Sequence, residues 1–241
     1  MKRGSAKKGA KASTSTPTPA RGKKPAGKSD APKEVREPAK SAIDDFFDSY
    51  ASNPHAAPGA NAITLEGLQR LCTDLGIDPS TDVAILVLIW KCETQQYGTI
   101  TKDEFKRGMS RLSVDTITKL RSALPNMRQS VSNPVTSEFR VFYKFVFDIS
   151  REGGAKVIDV EICIALLELL LANNFHLVPL FRDFLRQKGV RALNADQWTS
   201  FLEFAKLYDR DLSRYDDDGA CKFYAGPLIF DEFVEWTRSR R

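Results

Sequence analysis

The chain has 241 residues, enough for one or two compact domains, and its net charge of +5 is unevenly distributed. Residues 1–40 hold twelve Lys/Arg and three Asp/Glu, a net of +9, which leaves the rest of the chain at −4. The mildly acidic remainder suits a basic protein partner better than nucleic acid. The longest apolar run, VAILVLIW at 83–90, is too short to span a membrane, so no membrane segment is predicted.

Residues 1–40 contain no aromatic residue, leucine or isoleucine. This composition cannot bury enough apolar surface to offset the chain entropy lost on folding, so a disordered basic tail is predicted. Its basic clusters are candidates for a nuclear import signal, which would place the protein in nucleus and cytoplasm; the alternative is a solubilising or weakly RNA-binding tail. The candidate import residues are Lys2, Arg3, Lys7, Lys8, Arg21, Lys23 and Lys24.

Residues 41–240 read as one all-α domain, because apolar residues recur every three or four positions through most of it. The aromatic stretch EFRVFYKFVFDI at 138–149 has the composition of a strand, but its length and spacing favour a helix. A preceding helix is predicted from about Ser113 to Ala123, ended by Pro125.

Catalytic and metal-binding patterns are not found in the sequence. The four cysteines include no C-x-x-C pair, and the two histidines lie far apart, so neither zinc nor a disulfide framework is predicted. No glycine-rich phosphate loop or nucleophile motif occurs. We therefore expect a non-catalytic protein without a cofactor.

The segment CETQQYGTITKDEF, residues 92–105, has the outline of a calcium-binding EF-hand loop. With Gly98 at position 6, Glu104 falls at position 12, but Gln95 and Tyr97 stand at positions 3 and 5, where carboxylates are needed. Glu104 also completes a capping box with Thr101. The sequence therefore predicts an EF-hand-like helix–loop–helix without metal, and an EF-hand-like calcium-binding protein is the alternative function.

Several segments, taken in order, resemble the defective-in-cullin-neddylation (DCN-like) family over roughly residues 45–240. They are Asp78-Pro79, Trp90-Lys91, FYKFVF at 142–147, DQW at 196–198 and YDDDGA…PLIFDEFVEW at 215–236. The resemblance implies the family's potentiating-neddylation domain, an all-α fold of two EF-hand-like lobes without metal. It implies a scaffold that binds a cullin C-terminal winged-helix domain and the neddylation conjugating enzyme, beside the RING subunit of cullin ligases.

The resemblance implies a cullin-binding patch of two aspartates and an alanine, matched here by Asp196, Ala220 and Asp231. Carboxylates can pair with lysine or arginine on a basic winged-helix domain. One departure from the family is the segment CKFYAG at 221–226, which is longer than the family's usual link. It leaves the spacing between Ala220 and Asp231 open.

The resemblance also implies an apolar pocket for the acetylated N-terminal methionine of the conjugating enzyme. Acetylation removes the charge of the amine and so lowers the cost of burying that end. The plain alternative is that the matching residues are ordinary core residues of a helical lobe. The matching residues are Leu65, Leu68, Ile85, Leu88, Tyr97, Ile100, Ile149 and Leu169.

Overall fold

A computed structural model describes residues 41–51, 61–151, 153–210, 212–215 and 227–240. The predicted basic tail with its import candidates, Ala220 and the 221–226 segment lie outside these ranges, so the boundary at residue 40 stays a prediction. The described chain is helical nearly throughout, which confirms the all-α fold class. Over the same ranges, no helix is long and apolar enough to cross a bilayer.

The described residues form ten α-helices and four short strands. The helices are α1 (Ala42–Tyr50), α2 (Leu65–Leu75), α3 (Ala84–Cys92), α4 (Lys102–Leu112), α5 (Ile117–Ser130), α6 (Ser137–Ser150), α7 (Val160–Leu171), α8 (Leu177–Gln187), α9 (Ala195–Tyr208) and α10 (Ile229–Arg238). The strands are β1 (Ala62–Ile63), β2 (Ile100–Thr101), β3 (Val157–Asp159) and β4 (Ala192–Asn194). A short 3-10 helix, Leu212–Arg214, follows α9.

The strands pair in twos, and each pair joins two helix–loop–helix units. β1 runs antiparallel to β2 with Ile63 opposite Ile100, and β3 runs antiparallel to β4 with Ile158 opposite Leu193. All four of these side chains are buried. Helices α1–α4 therefore form an N-terminal lobe and α6–α9 a C-terminal lobe, joined by α5, in the EF-hand-like arrangement that the sequence predicts.

Capping boxes define the start of α4 and of α9. The Glu104 carboxylate accepts a hydrogen bond from the Thr101 backbone N–H at 2.8 Å, while the Thr101 hydroxyl accepts from the Glu104 N–H at 3.4 Å. Asn194 and Gln197 exchange the same pair of bonds at 2.8 and 3.0 Å before α9. The second box places Asp196 in the first turn of α9.

The predicted end of the helix at Pro125 is wrong, since α5 (Ile117–Ser130) contains this proline in its interior. Proline lacks the N–H for one i→i−4 hydrogen bond, which commonly costs about 3 kcal/mol. Leu120, Leu124 and Met127 are buried on both sides of the proline. Because each fully buried apolar side chain contributes about 1.5–3 kcal/mol, their burial offsets the lost bond.

The N-terminal lobe has a core in which aliphatic side chains predominate. Aliphatic side chains with at most 1% of their surface exposed include Ile63, Leu71, Val87, Leu88, Ile100 and Met109. Helices α3 and α4 approach most closely at Gly108, where an added Cβ would lie 2.3 Å from the Sγ of Cys92. The glycine therefore permits the close crossing of these two helices.

The C-terminal lobe has an aromatic core. The rings of Tyr143 and Trp198 stack with centroids 4.5 Å apart. The Tyr143 hydroxyl donates to the Trp198 carbonyl oxygen, and the Trp198 indole N–H donates to the Tyr143 carbonyl oxygen, each at 3.0 Å. Phe181 and Phe201 stack at 4.4 Å, and Phe230 of α10 lies 5.8 Å from Phe181. These contacts join α6, α8, α9 and α10 in one core.

Candidate functional site

The EF-hand-like loop between α3 and α4 uses its carboxylates within the protein. One Glu104 oxygen accepts from the Gln95 backbone N–H at 3.0 Å, and the other accepts from Thr101. Glu93 accepts from the Arg111 guanidinium at 2.6 Å. Both carboxylates that this loop could offer to calcium are therefore engaged by N–H, hydroxyl or guanidinium groups of the chain itself.

A tight turn at the tip of this loop presents an aromatic side chain to the surface. Gln96 and Thr99 form a β-bridge, and Gly98 between them has a φ of +71°, a left-handed value that favours glycine. Tyr97 stands on this turn with 64% of its surface exposed. The phenol ring lies at the wall of an apolar cavity.

The apolar cavity has a volume of about 270 Å³ and lies where α2, α3 and α7 meet. None of the described residues that line it is charged. Leu65 and Ile162 on its wall are 52% and 41% exposed, so an apolar rim surrounds the opening together with Tyr97. A hollow of this kind can bury an apolar ligand group and exclude water from it. Its lining consists of Leu65, Leu68, Gln69, Cys72, Pro79, Ile85, Leu86, Ile89, Tyr97, Gly98, Ser150, Ile162, Leu166 and Leu169.

Two of the predicted cullin-binding residues occupy equivalent places, in the first turns of α9 and α10. Asp196 is exposed, and Asp231 is half-buried. The positive end of each helix dipole stabilises a carboxylate at such a place. The Tyr215 hydroxyl donates to the Asp231 carboxylate, and the Arg238 guanidinium donates to the Tyr215 carbonyl oxygen at 2.6 Å. These bonds hold the Asp231 carboxylate against the residue that follows the 3-10 helix.

Residues 119–236 match a family model described as Cullin binding. DCN1-like protein 4 of Danio rerio is 40% identical over 175 residues, covering 73% of this chain and 60% of the relative. DCN1-like protein 4 of Homo sapiens is 37% identical over 73% of this chain and 58% of the relative. DCN1-like protein 5 of Rattus norvegicus is 36% identical over 73% of this chain and 71% of the relative. The chain belongs to the DCN1-like family.

The sequence-based assignment to this family is therefore confirmed. The matched region spans less than two thirds of the DCN1-like protein 4 relatives and somewhat more than two thirds of DCN1-like protein 5. The family model includes the positions of Asp196, Ala220 and Asp231, of which Ala220 lies outside the described ranges.

The structure brings five of the eight predicted pocket residues of this DCN1-like chain around the apolar cavity. These five are Leu65, Leu68, Ile85, Tyr97 and Leu169. Leu88, Ile100 and Ile149 do not line it and are buried elsewhere. Leu88 lies on the core face of α3, and Ile100 pairs with Ile63 in the short sheet. Ser150, the residue after Ile149, lines the cavity instead of Ile149.

The sequence prediction missed nine residues of the cavity wall, including four large apolar ones on two helices. Leu86 and Ile89 lie on α3, and Ile162 and Leu166 lie on α7. Both helices are apolar on nearly all sides, so periodicity could not separate the core face from the cavity face. The sequence did carry one signal: α3 and α7 have more apolar residues than a single core-facing stripe needs, which indicates a second apolar contact on each helix.

The described cysteines of this DCN1-like chain are poor nucleophiles. Burial raises the pKa of Cys72, which lies in the cavity wall, and raises the pKa of Cys92 and of Cys163 to about 12. Their thiols are therefore protonated at neutral pH, whereas thioester chemistry requires a thiolate. These three residues act as small apolar side chains of the core.

Proposed function

We propose that this DCN1-like chain is a non-catalytic scaffold that promotes cullin neddylation. It binds a cullin winged-helix domain through Asp196, Ala220 and Asp231. It also binds the acetylated N-terminal methionine of the neddylation conjugating enzyme in the apolar cavity. It acts beside the RING subunit of the cullin ligase. Holding both partners raises their effective concentration and fixes their orientation, so no catalytic group of its own is needed.

The observation that carries this proposal is the uncharged cavity with its exposed apolar rim. A methionine side chain and an acetyl group are both neutral, and burying them removes apolar surface from water. A free α-amino group would have to be desolvated without a described carboxylate in the wall to compensate it. The cavity is therefore suited to the acetylated end and unsuited to the free amine.

The acidic charge of the chain after residue 40 supports the cullin part of the proposal. Asp196 and Asp231 stand at the starts of two helices, within the region that matches the Cullin binding family model. The protonated thiols of the described cysteines support a role without chemistry of its own. The proposal includes nuclear and cytoplasmic localisation, with import through the basic tail.

The cavity is tested by titrating an N-terminal peptide of the neddylation conjugating enzyme, acetylated or free, into the full chain. Ile162→Glu places a charge on the cavity rim and is expected to weaken binding of the acetylated peptide more than tenfold. Val141→Glu is the matched control, because Val141 is 59% exposed on α6 and lies away from the cavity. Equal affinity for acetylated and free peptides would contradict the proposal.

The proposed cullin-binding patch is tested by pull-down with a cullin winged-helix domain. Asp196→Lys and Asp231→Lys each reverse a charge at a helix start and are expected to abolish capture while the helical circular dichroism signal is retained. In a reconstituted reaction, the same variants should lower the rate of cullin neddylation. Unchanged capture by both variants would remove the cullin-binding assignment.

A further inference from the structure

Three helices end at a second hollow, next to the apolar cavity. This polar hollow has a volume of about 620 Å³ and is lined by the residues at or just beyond the last turns of α2, α5 and α7. Its wall also includes the turn before α3. The residues that carry the argument are Gly76, Asp78, Asp82, Arg128, Leu169 and Asn173. Neither the binding proposed for the apolar cavity nor the proposed cullin-binding patch involves this hollow.

The electrostatics of the polar hollow favour a cation. The carboxyl end of each helix carries about half a negative charge. Arg121 covers the end of α2 by donating to the Asp74 carbonyl oxygen, which leaves the ends of α5 and α7 facing the positive end of α3. Arg128 and Asp82 form a two-pronged ion pair, with Nη2–Oδ2 and Nε–Oδ1 distances of 2.6 and 3.0 Å, and largely neutralise each other. The charge of Asp78 then adds to the negative field of the helix ends.

Asp78 is ionised and exposed in this hollow. Its Oδ1 accepts from the Ser80 backbone N–H at 2.9 Å and from the Ser80 hydroxyl at 2.7 Å. These bonds lower the pKa of Asp78 below its ordinary value. Each carboxylate oxygen can accept more than one bond, so the group retains capacity to pair with a cationic ligand.

The polar hollow adjoins the apolar cavity at Leu169, near the end of α7. Ile162, Leu166, Leu169 and Asn173 follow each other at helical spacing, the first two in the cavity wall, Leu169 in both walls and Asn173 in the hollow. On the other side, Pro79 lines the cavity and Asp78 lines the hollow. The axial rise from Leu166 to Asn173 is about 10 Å, which about three extended residues span.

We propose that the polar hollow binds a lysine or arginine side chain of the conjugating enzyme, about three residues behind the methionine anchored in the cavity. This inference rests on the proposed function and adds a charge requirement to the peptide that the cavity receives. An anionic side chain at that place would meet Asp78 and the carboxyl ends of α5 and α7, and a neutral one would gain nothing from them. The hollow therefore selects for positive charge close to the acetylated end.

The test is a lysine scan of a twelve-residue acetylated N-terminal peptide of the conjugating enzyme, titrated into the full chain at low salt. Lysine and glutamine are compared at each position from 2 to 8. We expect lysine to bind about three- to tenfold more tightly than glutamine at one of positions 3–5, and about equally elsewhere. The preference should shrink as salt is added, because the site is open to solvent.

Asp78→Asn is the decisive variant. Asparagine can accept the same two bonds from Ser80, so the turn before α3 is preserved while the charge is lost. The preference for lysine should disappear in this variant and persist in Asp103→Asn, an exposed aspartate of α4 outside the hollow.

Two results overturn the inference and leave the proposed function standing: no preference for lysine at any position, or a preference that Asp78→Asn does not change. Failure of every acetylated peptide to bind is a different result. It would remove the cavity assignment, and the inference with it.

Discussion

The two lobes share one architecture and differ in what fills them. Each consists of two helix–loop–helix units joined by a short antiparallel strand pair. The N-terminal lobe has a largely aliphatic core and leaves a cavity against α7, whereas the C-terminal lobe is closed by stacked aromatic rings. The same scaffold thus carries the two proposed binding surfaces, an apolar hollow between the N-terminal lobe and α7 and carboxylates at helix starts of the C-terminal part.

The comparison shows what EF-hand-like loops can do when their carboxylates serve the protein itself. In the N-terminal lobe, Glu104 caps α4, and the turn that follows α3 carries Tyr97 to the cavity wall. In the C-terminal lobe, the loop ends in the Asn194 capping box, which places Asp196 at the exposed start of α9. In both lobes, the loop therefore places a residue of a proposed binding surface, Tyr97 on a turn and Asp196 at a helix start.

The largest expected effect is on the aromatic core. Trp198→Ala removes the stacked ring and the bond that its indole N–H donates to the Tyr143 carbonyl oxygen, and should lower the free energy of unfolding by about 3–5 kcal/mol. Leu88→Ala is the counterpart in the aliphatic core and should cost about 2–3 kcal/mol. Urea unfolding at pH 7 measures both. An equal or smaller cost for Trp198→Ala would mean that the aromatic contacts add nothing beyond burial.

A smaller effect is expected where Tyr215 holds Asp231. Tyr215→Phe keeps the buried ring but removes the hydrogen bond to the Asp231 carboxylate. Asp231 must then lose side-chain entropy when cullin binds, so the binding free energy should weaken by about 1 kcal/mol. Binding of the acetylated peptide in the other lobe should not change. Tyr208→Phe is the control, because the Tyr208 ring meets the Tyr215 ring edge to face with centroids 5.2 Å apart, whereas it is Tyr215 whose hydroxyl donates to Asp231. A similar loss in both variants would point to packing rather than to the hydroxyl.

The smallest effect concerns an ion cluster of the N-terminal lobe at acid pH. Lys102 and Lys106 lie 2.7 and 2.8 Å from an Asp44 oxygen, and with Ser41 they hold the pKa of Asp44 below its ordinary value. The stabilisation is therefore complete above the unfolded pKa of about 4. It is lost as the pH falls from there toward the lower folded pKa.

Asp44→Asn measures this contribution. Because the cluster is at the surface, the wild type should exceed the variant by about 1 kcal/mol or less in unfolding free energy at pH 7, with the difference shrinking at pH 3. Thermal or urea unfolding at the two pH values gives both differences. A difference that grows on acidification would assign the effect to the helix cap rather than to the ion pairs.

The sequence predicted well wherever one residue type has one common role. The capping box of Thr101 and Glu104 and the helix over the aromatic stretch, which is α6, follow from local spacing. The pair of EF-hand-like lobes was implied by the family resemblance. Pro125 was misread, because a local rule for proline cannot register apolar residues buried on both sides of it.

The cavity was predictable only in part. Leu65, Leu68 and Ile85 were recognised through the family, but Ile162 and Leu166 come from an all-apolar helix whose orientation is set by tertiary packing. The polar hollow depends on three helix ends that are far apart in sequence, and no local pattern marks their convergence. Spacing along the chain predicts faces of helices, not the places where their ends meet.

The contact between Tyr215 and Asp231 has a practical consequence for protein engineering. Tyr215 and Asp231 are sixteen positions apart in the sequence and are joined by a hydrogen bond in the fold. Phe230 anchors the return through its stacking on Phe204 at 5.1 Å. When both ends of a chain segment are held in place, each doubling of its length costs only about 0.6 kcal/mol of closure entropy. An insertion between Tyr215 and Asp231 is therefore expected to leave α10 in place, whereas a graft beside Ala220 would disturb the proposed cullin-binding patch.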